Sequence, residues 1–148
     1  MSSGGKTEAA PRIVLDTSAY SRFRAGDGRV HDLLATADAV LLPATVLGEL
    51  YGAFEMGSRT RENRMALTEF LEEPFVSVVP TSVEVARHYG RVYAALRRAG
   101  TPIPANDIWI AAAALDRGGC LLTFDRDFAH VPGLDRIILE GIEPGTED

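Results

Sequence analysis

The chain alternates short apolar runs with longer stretches in which apolar residues recur at helical spacing. Arg12–Asp16 (RIVLD) is an apolar run closed by a carboxylate, and reads as a buried strand. Val40–Pro43 (VLLP), Phe75–Val79 (FVSVV), Cys120–Phe124 (CLLTF) and Ile137–Leu139 read the same way. Val46, Leu47, Leu50, Tyr51 and Phe54 follow the stripe of an amphipathic helix. Ala66, Leu67, Phe70 and Leu71 continue it in a second helix. Val85, Ala86, Tyr89, Val92, Tyr93 and Leu96 make the longest stripe, closed by Gly100 and Pro102. Asp107–Arg117 (DIWIAAAALDR) is nearly all apolar up to Gly118–Gly119, so this helix should be largely buried.

Apolar strands separated by amphipathic helices predict an α/β protein, a three-layer α/β/α sandwich around a mainly parallel five-stranded sheet. In such sheets ligands sit beyond the carboxyl ends of the strands, where strand order reverses. The polar, Ser/Gly-containing segment 1–11 has no apolar core and reads as a disordered leader, not a signal peptide; residues 12–148 should form a single domain. No apolar run approaches the roughly twenty residues of a membrane span.

Composition narrows the chemistry. The 148 residues carry 15 Lys and Arg against 21 Asp and Glu, a net charge of −6. That excludes a protein that coats nucleic acid by bulk charge, but not an enzyme that uses a local site. Cys120 is the only cysteine, which excludes an internal disulfide and a cysteine zinc site, and fits a reducing cytoplasm. Lys6 is the only lysine, and the Gly26–Gly28 stretch lacks a phosphate-loop lysine.

Four acids fall where the topology places a site. Asp16 follows the first strand, and Asp125 follows the fourth in the string TFDRDF. Asp107 opens the buried helix after Pro102 and Pro104, and Glu49 is the lone charge on a helix face shared with Thr45, Gly52, Ala53 and Met56. Each has a purely structural reading as well. Asp16 can cap a following helix, Asp107 suits a helix start, and Asp125 can bond its own turn. Asp127 competes with Asp125, and Asn106 is expected to cap the helix and leave Asp107 free. Carboxylates gathered within about 4 Å repel by roughly 4 kcal/mol per pair at an effective dielectric near 20, so they need protons, arginines or a divalent cation. An all-oxygen donor set without His or Cys favours Mg²⁺ or Mn²⁺.

Val14–Ala19 (VLDTSA), Pro43–Tyr51 (PATVLGELY), residues 101–112 (TPIPANDIWIAA) and Leu122–Phe128 (LTFDRDF) resemble, in order, the four acidic motifs of PIN domains. The resemblance spans Ile13 to Leu139, and its compact form is most similar to the VapC toxins of VapBC toxin–antitoxin modules. It implies strand order 3-2-1-4-5 and a metal-dependent ribonuclease toxin, with Asp16, Glu49, Asp107 and Asp125 as catalytic and metal-binding acids. Thr17, Ser18 and Thr123 would be supporting hydroxyls, with Asp127 beside them. The implied reaction is Mg²⁺- or Mn²⁺-assisted hydrolysis of tRNA or another structured RNA to 5′-phosphate and 3′-hydroxyl ends. The implied partners are a VapB antitoxin and a second copy of the chain.

Arg22, Arg24 and Arg126 are candidates for positioning the RNA backbone, and read equally well as solvated surface residues. The uncharged flank of the Glu49 helix and the Tyr89/Tyr93 helix are candidate contact surfaces, with Tyr93 weighted toward the core. A phosphoacceptor receiver domain would need a lysine near the last strands, and a dehalogenase-type phosphatase an aspartate where Ser18 stands. A PIN fold without catalysis, serving as a protein-binding module, is opposed by the intact quartet. A PIN nuclease of RNA processing is the remaining alternative.

Overall fold

The computed structural model describes residues 11–141. The proposed leader therefore lies outside the described residues except for Pro11, whose carbonyl accepts a hydrogen bond from the Asp38 amide at 2.8 Å. The strands are β1 (Arg12–Leu15), β2 (Ala39–Pro43), β3 (Val76–Val79), β4 (Cys120–Thr123) and β5 (Arg136–Ile138). All four pairings are parallel, in the order β3-β2-β1-β4-β5. Val14, Leu15, Val40, Leu42, Leu121 and Leu122 are fully buried. Strands covered on both faces read as continuous apolar runs, which is why β1, β2 and β4 stand out in the sequence; the edge strands β3 and β5 are partly exposed.

The helices are α1 (Thr17–Arg24), α2 (Gly28–Ala35), α3 (Ala44–Met56), α4 (Thr60–Leu71), α5 (Val83–Ala99) and α6 (Ala105–Arg117). Right-handed crossovers send α1–α4 to one face of the sheet and α5–α6 to the other. The packing agrees: α1 meets α2 and α3, α3 meets α4, and α5 lies along α6. On the first face Tyr20 and Phe23 of α1 pack against Phe70 of α4, with ring centroids 5.5 and 5.2 Å apart. As expected, α6 buries Ile108, Ile110 and Ala111–Ala114 and ends on a left-handed Gly118, while α5 ends on a left-handed Gly100. Among the described residues no helix is long and apolar enough to cross a membrane.

Helix α2 forms no part of the sequence reading, and α1 enters it only as the helix that Asp16 could cap. Asp16 and Asp27 start them by accepting hydrogen bonds from the amides of Ala19 and Arg29. One glycine is demanded by packing. A Cβ on Gly119 would sit 2.7 Å from Val14 Cγ2, because β4 enters the sheet hard against β1.

Tyr93 departs from expectation. It is 42 % exposed and does not fill the core. Its ring stacks on Tyr89 at 6.2 Å, and Tyr89 in turn meets Trp109 at 4.2 Å. A helical stripe fixes the side on which a residue lies, not its depth, and the first layer over α6 belongs to Tyr89.

Candidate active site

Strand order reverses at β1, with β2 on one side and β4 on the other, and the site lies beyond the carboxyl ends of β1 and β4. An open cleft of about 580 Å³ is lined by Asp16, Thr17, Ser18, Glu49, Asn106, Asp107, Ile110 and Asp125. The four acids named from the sequence thus meet in one cleft, carried by the end of β1, by α3, by α6 and by the turn after β4.

Asp16 is only 5 % exposed, and donors surround it. Its Oδ1 accepts from the Ala19 amide at 2.8 Å and from the Ser18 hydroxyl at 2.7 Å. Its Oδ2 accepts from the Thr123 hydroxyl at the end of β4. The capping reading and the site reading of Asp16 hold together, since one carboxylate starts α1 and faces the cleft. Burial raises its pKa, the bonds from Thr123, Ala19 and Ser18 lower it, and the charge of Asp125 raises it further, with a net upward shift.

The hydroxyls tie the strands to one another. Ser18 Oγ accepts from the Phe124 amide at 3.0 Å, and Thr123 Oγ1 accepts from the Asp125 amide at 3.0 Å. Thr17 donates instead to Glu49 Oε1, linking α1 to α3. Asp125 bonds its own turn, accepting from the Asp127 amide at 2.9 Å at the start of a 3₁₀ helix, Arg126–His130. That turn brings Asp127 back beside Asp125. Carboxylate oxygens of Asp107, Asp125 and Asp127 all lie within 4.8 Å of one another.

Asp107 bears the cost of this crowding. Burial, followed by the charges of Asp125, Glu49, Asp16 and Asp127, pushes its pKa from 3.8 up to about 7. Among the described residues no arginine or histidine pairs with any of these five acids. A cluster of uncompensated oxygen donors of this kind fits a hard divalent cation, which Asp107, Asp125 and Asp127 are placed to hold.

One expectation needs correction. Asn106 does not cap α6: Pro104 occupies the cap position with no side-chain bond, and the Asn106 amide donates to Glu49 Oε2. Sequence reasoning noticed Asn106 and gave it the wrong task. The arginines proposed for RNA do not line the cleft. The Arg22 guanidinium lies 4.8 Å over the Phe124 ring, Arg126 pairs with Glu140 at 3.0 Å, and Arg24 is exposed. Ile110, the apolar part of the cleft lining, was not foreseen, because it reads as one more core residue of α6.

Residues 13–134 match the family described as PIN domain. The chain belongs to the PIN-domain family. It is 31% identical to Ribonuclease VapC5 of Mycobacterium tuberculosis over 122 residues, which is 81% of this chain and 87% of that protein. The solved VapBC-5 toxin–antitoxin structure from the same organism is 28% identical, covers 88% of this chain and 98% of its own, and superposes with a TM-score of 0.66. The structure of VapBC2 from Rickettsia felis, bound to a DNA fragment from their promoter, has the same fold at a TM-score of 0.75 and 23% identity, covering 87% and 99%. Within the PIN family the chain therefore groups with VapC proteins.

Proposed function

We propose that this protein is a VapC-type endoribonuclease toxin that hydrolyses RNA phosphodiester bonds with the help of Mg²⁺ or Mn²⁺. The observation that carries the proposal is the convergence of Asp16, Glu49, Asp107 and Asp125 in one cleft, from four separate elements, with no cation among the described residues paired to them. Likeness to a protein named as a ribonuclease adds support.

Asp107 and Asp125, with Asp127 beside them, would hold the ion, with Asp16 and Glu49 of the same cleft as the remaining metal-binding acids. When bound, the ion supplies a Lewis acid for the phosphate and acidifies water at neutral pH. The rest of the work belongs to the chain. Ser18, Ala19 and Thr123 hold Asp16 at both oxygens, so its carboxylate cannot swing as RNA enters. Asp107, with its pKa raised to about 7 by burial and the neighbouring carboxylates, is poised to give up a proton when a cation arrives. Hydrolysis should leave 5′-phosphate and 3′-hydroxyl ends on tRNA or another structured RNA.

The reading extends to partners and setting. Residues 12–148 would act as one domain in the cytoplasm, as a homodimer neutralised by a VapB-type antitoxin. The uncharged flank of α3, where Gly52, Ala53 and Met56 are exposed, is a candidate partner surface. So is the exposed Tyr93 edge of α5.

The test is an RNA cleavage assay with Mg²⁺ or Mn²⁺, comparing the native protein with Asp16→Asn, Asp107→Asn and a chelated sample. Cleavage by the native protein alone is expected; equal cleavage by the variants would sink the assignment. Growth arrest on expression, relieved by the same substitutions and by a co-expressed antitoxin, would separate a toxin from an RNA-processing enzyme.

A further inference from the structure

We propose that Asn106 is a positioning residue for the reaction, acting by clamping Glu49 in the cleft, an inference that rests on the nuclease reading above. Glu49 stands on α3, in a cleft with carboxylates carried by other elements, and its charge and that of Asp107 repel each other. Its side chain is only partly buried, so a rotamer change would carry it out to solvent. Two donors prevent this. The Thr17 hydroxyl at the start of α1 donates to Oε1, and the Asn106 amide at the start of α6 donates to Oε2. Each oxygen is thus held from a different helix, which fixes both the position and the tilt of the carboxylate.

Both donors are neutral. An arginine at either place would hold Glu49 equally well, but would cancel the negative charge that a divalent cation needs. A hydroxyl and an amide restrain the carboxylate and leave its charge in place. The amide orientation follows from the same logic, since its oxygen turned toward Glu49 would be repelled.

A purely structural role for Asn106 is poorly supported. Pro104, not Asn106, begins the helix, and Asn106 makes no capping bond. Its residue is exposed, while the buried face of α6 is formed by Ile108, Ile110 and Ala111–Ala114. Replacing it should disturb the site and leave the core alone.

The experiment is a double-mutant cycle of Asn106→Ala and Glu49→Gln, read by Mn²⁺ calorimetry and by RNA cleavage kinetics, with thermal midpoints as a folding control. Asn106→Ala should lower kcat and Mn²⁺ affinity by roughly ten- to a hundredfold, the range for losing a group that orients a metal site from outside it. KM for RNA and the thermal midpoint should stay unchanged. In the Glu49→Gln background the same substitution should have almost no further effect, because the residue acts through Glu49. Asn106→Asp sharpens the test. It preserves size but sets a second negative charge against Glu49, and should be worse than Asn106→Ala. Additive losses in the cycle, or tighter Mn²⁺ binding by Asn106→Asp, would overturn the clamp, the latter by making residue 106 a ligand in its own right. A native protein that cleaves no RNA would count against the nuclease reading, while the Mn²⁺ cycle would still decide the clamp.

Discussion

The Thr123 hydroxyl at the end of β4 donates to Asp16 Oδ2 at the end of β1, across the point where strand order reverses. Both side chains are buried, Thr123 completely. Thr123→Val keeps the shape and removes the donor, leaving one buried carboxylate oxygen without a partner and the Asp125 amide without its acceptor. A buried polar group stripped in this way costs about 1–3 kcal/mol. Urea denaturation of Thr123→Val should show that loss together with reduced RNA cleavage. Thr123→Ser, which keeps the hydroxyl, should recover most of the activity. If serine were no better than valine, the methyl and not the bond would be what matters.

Asp16 and Asp107 should respond differently to loss of charge. Removing either carboxylate forfeits several kcal/mol of metal-assisted stabilisation of the transition state, or about a hundredfold or more in kcat/KM. Stability should separate the two. Asp107 is pressed by four neighbouring carboxylates and bonded by none of the donors that hold Asp16. Asp107→Asn should therefore leave the metal-free protein at neutral pH as stable as the native one or more so, whereas Asp16→Asn keeps the Oδ1 cap but sets an amide donor against the buried Thr123 hydroxyl and should be less stable. Thermal melts in EDTA measure both. A lower midpoint for Asp107→Asn would contradict the picture of a strained carboxyl.

Gly119 offers a test of the scaffold independent of the chemistry. A methyl there meets Val14 Cγ2 at 2.7 Å and the Arg12 carbonyl at 3.4 Å. Val14 is fully buried in the central strand and has nowhere to retreat. Overpacking of this kind costs about 1–3 kcal/mol. Gly119→Ala should lower the denaturation midpoint by that amount and leave kcat per folded molecule unchanged, since no site residue is touched.

The sheet was legible because its central strands β1, β2 and β4 are buried on both faces, so their apolar runs stand out against the helices, while the edge strands β3 and β5 are apolar but partly exposed. The acid quartet came from its joint placement at strand ends and helix starts, supported by four ordered motifs that also supplied the sheet order; each acid alone has an ordinary structural reading. Asp16 explains why those readings could not be separated: it is both a helix cap and a cleft residue. Helix α1 was legible only through its Asp16 cap, because TSAYSRFR buries only Ala19 and Tyr20, too few for a stripe. Asn106 was misassigned because Pro104, by fixing where α6 begins, leaves a residue two positions on with no backbone amide to cap. The choice between Asp125 and Asp127 was open in sequence, and a 3₁₀ turn brings both to Asp107.

The crowding at Asp107 gives the metal-free protein a pH signature. Its carboxyl has an ordinary pKa of 3.8 and a folded value of about 7. Between those values the folded chain keeps a proton that the unfolded chain has released, so the folded state binds more protons. The contribution to stability is therefore fully present below about pH 4 and lost as pH rises toward 7. Asp27 and Glu62, whose pKa values are lowered by Arg29 and Arg59, act in the opposite sense. The signature is thus the difference between the native protein and Asp107→Asn, which shares those pairs. In EDTA that difference should shift against the native protein from pH 4 to 7. Added Mg²⁺ should reverse the trend, stabilising the native protein more at pH 7 than at pH 5, because a cation binds the deprotonated carboxylate and displaces its proton. Asp107→Asn should lose most of this Mg²⁺ stabilisation and its pH dependence. Melts over that range, with and without Mg²⁺, decide the matter: parallel curves for the two proteins would place the elevated pKa elsewhere.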